Sequence, residues 1–326
     1  MINYNELNIL KQTKSVCLIG HIEPDPDALS SMLTLKDFIR NNFKIEIVDL
    51  FAQTQQLSAN AKLIMENEIL NPEQKLYDTA IMIDSPNIDR LGKYSHLFEK
   101  AKNKIVIDHH ATNSYSGDIN IVEICSSTCE IIYNICESFN YTIPKANQGK
   151  LYAGIIADTN NFSVGEISQR TFITASKLCN NINMSEIYST FFANNSLKNM
   201  QMLALAIQNL SAYDNNQIII SYISHEQALK FNTTHNDLFG IVNELATISN
   251  SKLVCFIEPK ENHYYVSMRA KKGYDVSTIA KNNGGGGHVG AAAFLSHNDL
   301  NKIKDDILKQ FTSQLSKTII IKPKIF

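Results

Sequence analysis

Four short apolar runs, SVCLIG (15–20), KIEIVDL (44–50), TAIMID (79–84) and KIVIDHH (104–110), constrain what this chain can fold into more than any other feature. Between them, residues 27–40, about 56–67 and about 89–102 carry apolar positions at helical spacing. Strand-length runs alternating with amphipathic stretches predict a largely parallel sheet with crossover helices on its faces. Residues 126–138, 146–157 and much of 168–209 also read as helical. The rhythm then changes: QIIISYIS (217–224), KLVCFIEP (252–259) and HYYVSMRA (263–270) are strands in closer succession. They are followed by a short helix, DVSTIAKN, the run GGGGH (284–288), a short apolar strand and an amphipathic terminal helix. The closing TIIIKPKIF (318–326) reads equally as an edge strand or a tail.

This pattern predicts an α/β protein of two domains, and 326 residues suffice for two cores. The expected boundaries are a catalytic domain over 1–185, a helical linker over 186–209 and a smaller α/β domain over 210–326. No apolar run approaches the roughly 20 residues that span a bilayer. The N-terminus lacks the basic-then-apolar layout of a secretion signal, so a cytoplasmic protein with no membrane association is expected. The net charge of −2 argues against a binder of long duplex nucleic acid, whose affinity comes largely from neutralising phosphates. A nucleic-acid substrate would have to be short and held by a few placed cations.

In open α/β sheets, ligands bind beyond the carboxyl ends of the strands. Here the first run leads into GHIEPDPDALSS (20–31), with His21, Asp25 and Asp27; the third ends at Asp84; the fourth ends at Asp108, His109 and His110. GIIADTNNF adds Asp158 at the end of a later apolar run. Singly, each has an ordinary explanation: a satisfied histidine, or an aspartate capping the helix that follows. Together they do not, because clustered carboxylates raise one another's pKa and need a cation to stay ionised. His21, Asp25, Asp27, Asp84, His109 and Asp158 form a carboxylate and imidazole set without thiolate. Such a set suits two divalent ions, manganese first and magnesium or cobalt after it. Paired ions of that kind activate water for in-line displacement at phosphorus. Cys125, Cys129 and Cys136 share one helical face, and core packing is the expected role, since zinc pairs sit closer together and no histidine lies nearby.

HIEPDPD, IMIDSPNIDRLG, VIDHH and GIIADTNNF resemble the four motifs of the DHH phosphoesterase superfamily. GGGGHVGAAA resembles the signature of its accessory DHHA1 substrate-binding domain, so the likeness spans nearly the whole chain. Chain length and motif spacing most resemble the branch of bifunctional oligoribonucleases (nanoRNases) and pAp phosphatases. The resemblance implies one metal on His21, Asp25 and Asp84, and a second on Asp27, Asp84, His109 and Asp158, with Asp84 bridging. It implies that Asp84, Asp108, His109 and His110 form the catalytic group, with Asp108 orienting a neighbour and His110 facing the scissile phosphate or the leaving oxygen. The implied reaction is hydrolysis of short oligoribonucleotides, about two to five nucleotides, to 5′-mononucleotides, and of pAp to AMP. The implied assembly is a homodimer. A linear or cyclic dinucleotide phosphodiesterase, or a non-catalytic nucleotide-binding protein, are the alternatives. Two departures bear on specificity: Asn160 stands where the family usually has glycine, and Ala293 where many members have glycine.

Four successive glycines, Gly284, Gly285, Gly286 and Gly287, cost backbone entropy, and glycine lets backbone N–H groups approach a phosphate closely. The bland reading is a flexible loop. Arg269 lies just upstream, and arginine's planar fork suits phosphate. With the family likeness, Arg269 and His288 become the expected clamps for the phosphate distal to the cut. Arg90, six residues beyond Asp84, joins the candidate substrate group, with helix-end packing and an interface role as competing readings.

Overall fold

A computed structural model of the chain describes residues 3–55, 57–65, 70–72 and 76–317, without the side chains of His235, Asn236, His288 and Lys317. The TIIIKPKIF tail lies outside the described residues. Two compact units are present, Met1–Asn194 and Asn195–Phe326. The chain is an α/β protein, and among the described residues no helix is long and apolar enough to cross a membrane.

After a 3₁₀ segment, Tyr4–Gln12, the first unit runs β1 (Ser15–Ile19), α1 (Pro26–Phe43), β2 (Ile47–Phe51), α2 (Ala59–Met65) and β3 (Thr79–Ile83). A second 3₁₀ segment, Ile88–Tyr94, leads into α3 (Ser95–Lys100), β4 (Asn103–Asp108) and β5 (Ile119–Val122). Four helices follow: α4 (Thr128–Ser138), α5 (Lys145–Asp158), α6 (Gln169–Cys179) and α7 (Met184–Phe192). The sheet is wholly parallel in the order β2-β1-β3-β4-β5. The expected third helix is instead a 3₁₀ turn and a short α-helix, broken at Gly92, where φ is +57° and a Cβ would meet the Gln53 side chain. Strand β5 is an addition to the sequence reading; four residues gave too short a run to stand out.

Alternation in the strands sends side chains to two cores, as a sheet covered on both faces requires. Val16 and Leu18 join the cluster under α1, α4 and α5, whereas Cys17 and Ile19 pack with Tyr94, Leu97 and Phe98 on the other face. Helix α1 starts where Asp25 caps it and Pro26 supplies a preset φ at its first turn. Its stripe of Leu29, Met32, Leu35, Phe38 and Ile39 is buried against the sheet. Cys125, Cys129 and Cys136 are buried in the same core, and all six cysteines are free thiols.

The second unit comprises α8 (Leu197–Gln208), β6 (Ser211–Tyr213), β7 (Ile218–Tyr222), α9 (His225–Lys230), α10 (His235–Leu238), α11 (Ile241–Leu245) and β8 (Leu253–Lys260). It continues with β9 (His263–Ala270), α12 (Ser277–Asn282), β10 (Gly286–His288), β11 (Ala291–Ser296) and α13 (Leu300–Lys317). Its mixed sheet has the order β10-β11-β9-β8-β7-β6, with only β7 and β8 parallel. Within 186–209, α7 packs on α5 of the first unit, and α8 on α10, α11 and β7 of the second.

Candidate metal centre

The sheet order reverses direction at β1, with β2 on one side and β3 on the other, and such a switch point opens a crevice at the carboxyl ends of the strands. His21 follows β1, Asp84 follows β3, and Asp108, His109 and His110 end or follow β4, so three adjacent strands deliver these groups to one edge. Asp84 adopts φ +52°, a left-handed conformation that few residues other than glycine take, while its N–H continues the ladder to the Ile107 carbonyl at 3.0 Å. The twist turns its carboxylate in among the other groups: His21 Nε2 lies 3.8 Å from Oδ2, and His109 Nε2 lies 3.5 Å from Oδ1.

Asp25 and Asp27 flank the start of α1. Asp25 Oδ1 caps the helix by accepting from Ala28 N–H at 3.0 Å, and Oδ2 faces His21 Nε2 at 4.0 Å, so the capping role and a ligand role coexist. Asp27 is 1% exposed and accepts two backbone N–H groups at the start of α4, from Thr128 at 2.7 Å and Cys129 at 2.8 Å. A helix N-terminus favours an anion there.

Asp158 is the last residue of α5, the helix expected over 146–157, and it reaches the same edge because of Gly154. A Cβ on Gly154 would lie 2.4 Å from Cys129 Sγ and 3.2 Å from Asp27 Cα, so only glycine lets α5 come this close. Asp158, one turn further along, shares that face. Its Oδ2 lies 3.6 Å from His109 Nε2. A carboxylate at a helix C-terminus faces the unfavourable end of the dipole, which a cation would offset.

Three overlapping groups have ligand atoms all within 4.8 Å of one another: His21, Asp25 and Asp84; Asp27, His109 and Asp158; and Asp84, His109 and His110. All six residues expected as metal ligands are thus brought together. Burial, reinforced by neighbouring carboxylates, pushes Asp27 and Asp84 above the usual carboxylate range and Asp158 up to about 7. Burial opposes protonation of His109, but Asp84 and Asp158 outweigh it and raise its pKa. A centre whose acids repel and whose donors are hard oxygen and imidazole fits a divalent cation.

Two further partners set the rings. His109 Nδ1 lies 3.2 Å from the Cys125 carbonyl, which turns Nε2 toward the acids. His110 Nδ1 is 2.7 Å from Asp108 Oδ1, and Asp108 Oδ2 accepts from Asn113 Nδ2 at 2.6 Å. Burial works against charge on Asp108, yet the contacts with His110 and Asn113 hold its pKa below the usual range. Asn113 and Thr128 escaped the sequence reading; Thr128 Oγ1 donates to Asp84 Oδ1 at 2.8 Å. Serine at 127 with glutamate at 130 marks a helix start, but nothing local says that its first turn points at acids 101 residues away. Asn160, in place of the family's usual glycine, takes φ +46°, which asparagine tolerates. Arg90 is exposed, and its carbonyl accepts from Ile22 N–H at 2.8 Å, tying the loop after His21 to the loop after Asp84.

In the second unit the glycine run ends α12 and forms β10, rather than a loop. Gly284 has φ +76°; a Cβ on Gly285 would lie 2.2 Å from the Ala293 carbonyl; a Cβ on Gly287 would lie 2.5 Å from that of Ala291. These three are therefore required by the backbone, whereas Gly286, opposite Ala293, has open space where a Cβ would be. Arg269 pairs in register with Ala291, and Ala291 with His288, so the two expected clamps lie in one row across β9, β11 and β10. Arg269 donates Nε to Asn243 Oδ1 at 2.8 Å and Nη1 to the Met268 carbonyl at 2.9 Å.

Residues 15–158 match the DHH family, N-terminal domain, and residues 215–317 match the DHHA1 domain. The chain is a DHH–DHHA1 protein. It is 28% identical over 290 residues to a Streptococcus mutans protein named probable bifunctional oligoribonuclease and PAP phosphatase NrnA, covering 86% of this chain and 88% of that one. Bacillus subtilis NrnA, a bifunctional oligoribonuclease and PAP phosphatase, is 24% identical over 302 residues, covering 90% and 93%. The cyclic-di-AMP phosphodiesterase PdeA of Listeria monocytogenes is 23% identical, but the match takes in 95% of this DHH–DHHA1 chain and only 48% of PdeA. Among solved structures, an exopolyphosphatase-related protein from Bacteroides fragilis has the same fold, with a TM-score of 0.87 at 20% identity over 96% of this chain and 97% of that one.

Proposed function

We propose that this protein is a metal-dependent phosphoesterase that hydrolyses short oligoribonucleotides to 5′-mononucleotides and pAp to AMP. The observation that carries the reading is the convergence of six carboxylate and imidazole ligands at the switch point of a DHH domain. The NrnA relatives, similar over most of their length, support the substrate class. One cation would be held by His21, Asp25 and Asp84, and another by Asp27, Asp84, His109 and Asp158, with manganese the best match to the donors. When bound, such ions supply water acidified enough to attack and positive charge for the phosphoryl oxygens.

The chain's own groups do the rest. Asp84 and Asp27 hold their oxygens in place through Thr128 and Cys129. Asp108 fixes the His110 ring through Nδ1 and favours its protonated form, so Nε2–H faces the substrate. His110 then donates a hydrogen bond or a proton at the leaving oxygen. The DHHA1 domain contributes Arg269, His288 and the open strand position at Gly286 as the grip on a second phosphate. Arg90 serves at the substrate's edge. A cytosolic location fits six free thiols, and a homodimer completes the proposal.

The deciding experiment incubates purified protein and manganese with pAp, pApA, five-nucleotide RNA, cyclic dinucleotide and pyrophosphate. The expected ranking puts pApA and short RNA first, with pAp hydrolysed as well. Faster hydrolysis of cyclic dinucleotide than of pApA would move the protein to the second reading, a cyclic-dinucleotide phosphodiesterase, which the likeness to half of PdeA favours. No release of phosphate or mononucleotide from any of them would overturn both. Arg269→Ala is expected to raise KM for pApA with kcat kept, since a grip on a remote phosphate is shared by ground and transition states. Unchanged KM with lowered kcat would instead place Arg269 at the chemical step.

A further inference from the structure

Behind the ligand cluster lies an ionic network that the proposed chemistry does not use, buried at Glu130 and half open to solvent at Arg170. Glu130, in the first turn of α4, is 0% exposed. Its Oε1 accepts from Arg170 Nε at 2.7 Å, and its Oε2 from Ser126 Oγ at 2.6 Å and Thr171 Oγ1 at 2.8 Å. Arg170, on α6, also donates Nη1 to Glu123 Oε2 at 2.5 Å, and the Tyr4 hydroxyl donates to the other oxygen of Glu123. Helix α4 does not need this network to form, because Ser127 caps it and its apolar face is packed in the core. Burying the Glu130 carboxylate carries a desolvation cost, which its three hydrogen bonds offset.

The segment that Arg170 grips at both ends, 123–130, is hydrogen-bonded to Asp108 and to three of the ligands. Glu123 N–H donates to the Asp108 carbonyl at 3.1 Å, and the Cys125 carbonyl faces His109 Nδ1 at 3.2 Å. Thr128 N–H and Cys129 N–H donate to Asp27 at 2.7 and 2.8 Å, and Thr128 Oγ1 donates to Asp84 at 2.8 Å. Three of the six ligands, Asp27, Asp84 and His109, therefore take their orientation from this one segment. We propose that Arg170 is a positioning residue: by clamping Glu123 and Glu130 it fixes segment 123–130, and through it the aim of Asp27, Asp84 and His109 at the cations. The proposal rests on the metal-dependent reading above. Arginine is needed because its planar fork serves two carboxylates at a set angle, whereas lysine is a single point charge. Metal ligands tolerate errors of only about 0.2 Å, so a small shift of the segment matters.

The test compares metal-stripped wild type with Arg170→Lys, reading manganese affinity by calorimetry, Tm without metal, and kcat and KM on pApA. Arg170→Lys is expected to fold, to lose about ten- to a hundredfold in manganese affinity, as removal of partners behind metal ligands does, and to keep KM within about twofold. Saturating manganese is expected to restore most of the lost turnover. Glu123→Gln, which leaves the Arg170–Glu130 pair whole, should weaken manganese in the same direction by a smaller factor, and it decides the matter if Arg170→Lys does not fold. A lowered Tm with wild-type manganese affinity and wild-type kcat per folded molecule would reduce Arg170 to a structural ion pair and overturn the proposal. Wild type that binds no manganese would sink the metal reading itself, a result visible before any variant is made.

Discussion

Asp84→Asn is expected to lower turnover on pApA by at least about a hundredfold while leaving a folded protein. Asp84 belongs to two of the three ligand groups and lies between His21 and His109, so under the proposed reading its loss weakens the cation binding on which the attacking water depends. Asparagine keeps the shape and can still accept from the Thr128 hydroxyl, which holds the local structure. His109→Ala should cost as much, since it removes a ring that meets both Asp84 and Asp158. The Asn variant carries a second signature. Without metal, the ionised Asp84 is a cost to the fold, because burial and the Asp25 charge oppose it. Metal-free Asp84→Asn should therefore unfold at a higher temperature than metal-free wild type at pH 8. Wild-type turnover in either variant would remove the metal assignment.

The second large effect is a stability that depends jointly on metal and pH. Asp27, Asp84 and Asp158 all have folded-state pKa values above the ordinary 3.8, Asp158 at about 7. A carboxyl group raised in this way binds its proton more tightly folded than unfolded, so stability is lost as pH rises from about 4 through the folded value. His109 and His110, also raised, act in the same direction, contributing stability at low pH that fades as they deprotonate. Metal-free protein should thus melt lower at pH 8 than at pH 5.5. Under the proposed reading, manganese is expected to reverse this by replacing protons: a hundredfold excess over Kd at one site adds about 2.7 kcal/mol, or about 5–10 °C for a unit of this size. The gain should be larger at pH 8 than at pH 5.5, where protons compete. Thermal melts at both pH values with and without manganese check this, and an equal shift at both would show that the acids are not the binding groups.

Much of the site was open to reading from local patterns. Side-chain period and run length are written into neighbouring residues, so β1, β3 and β4 and the acids at their ends are visible as sequence. Asp158, at the end of the helical stretch 146–157, is legible too, but its reach is not: it meets the centre because Gly154 lets that helix settle against Asp27. The glycine run was noticed for phosphate chemistry, yet the backbone itself demands Gly284, Gly285 and Gly287 and leaves only Gly286 over.

The chain's own letters were enough to establish an α/β protein of two parts with a histidine and aspartate set suited to divalent cations. Folding alone decided how that set is held: Thr128 and Cys129 cradling Asp27 from 101 and 102 positions away, the Cys125 carbonyl turning His109, and Arg170 gripping both ends of the segment between. The reason is physical. Periodicity is imposed by the residue's own strand or helix and repeats within a few positions, whereas a hydrogen bond across the fold needs only a donor and an acceptor at the right distance and angle. Almost any residue's backbone can supply those, so they leave no mark in the sequence.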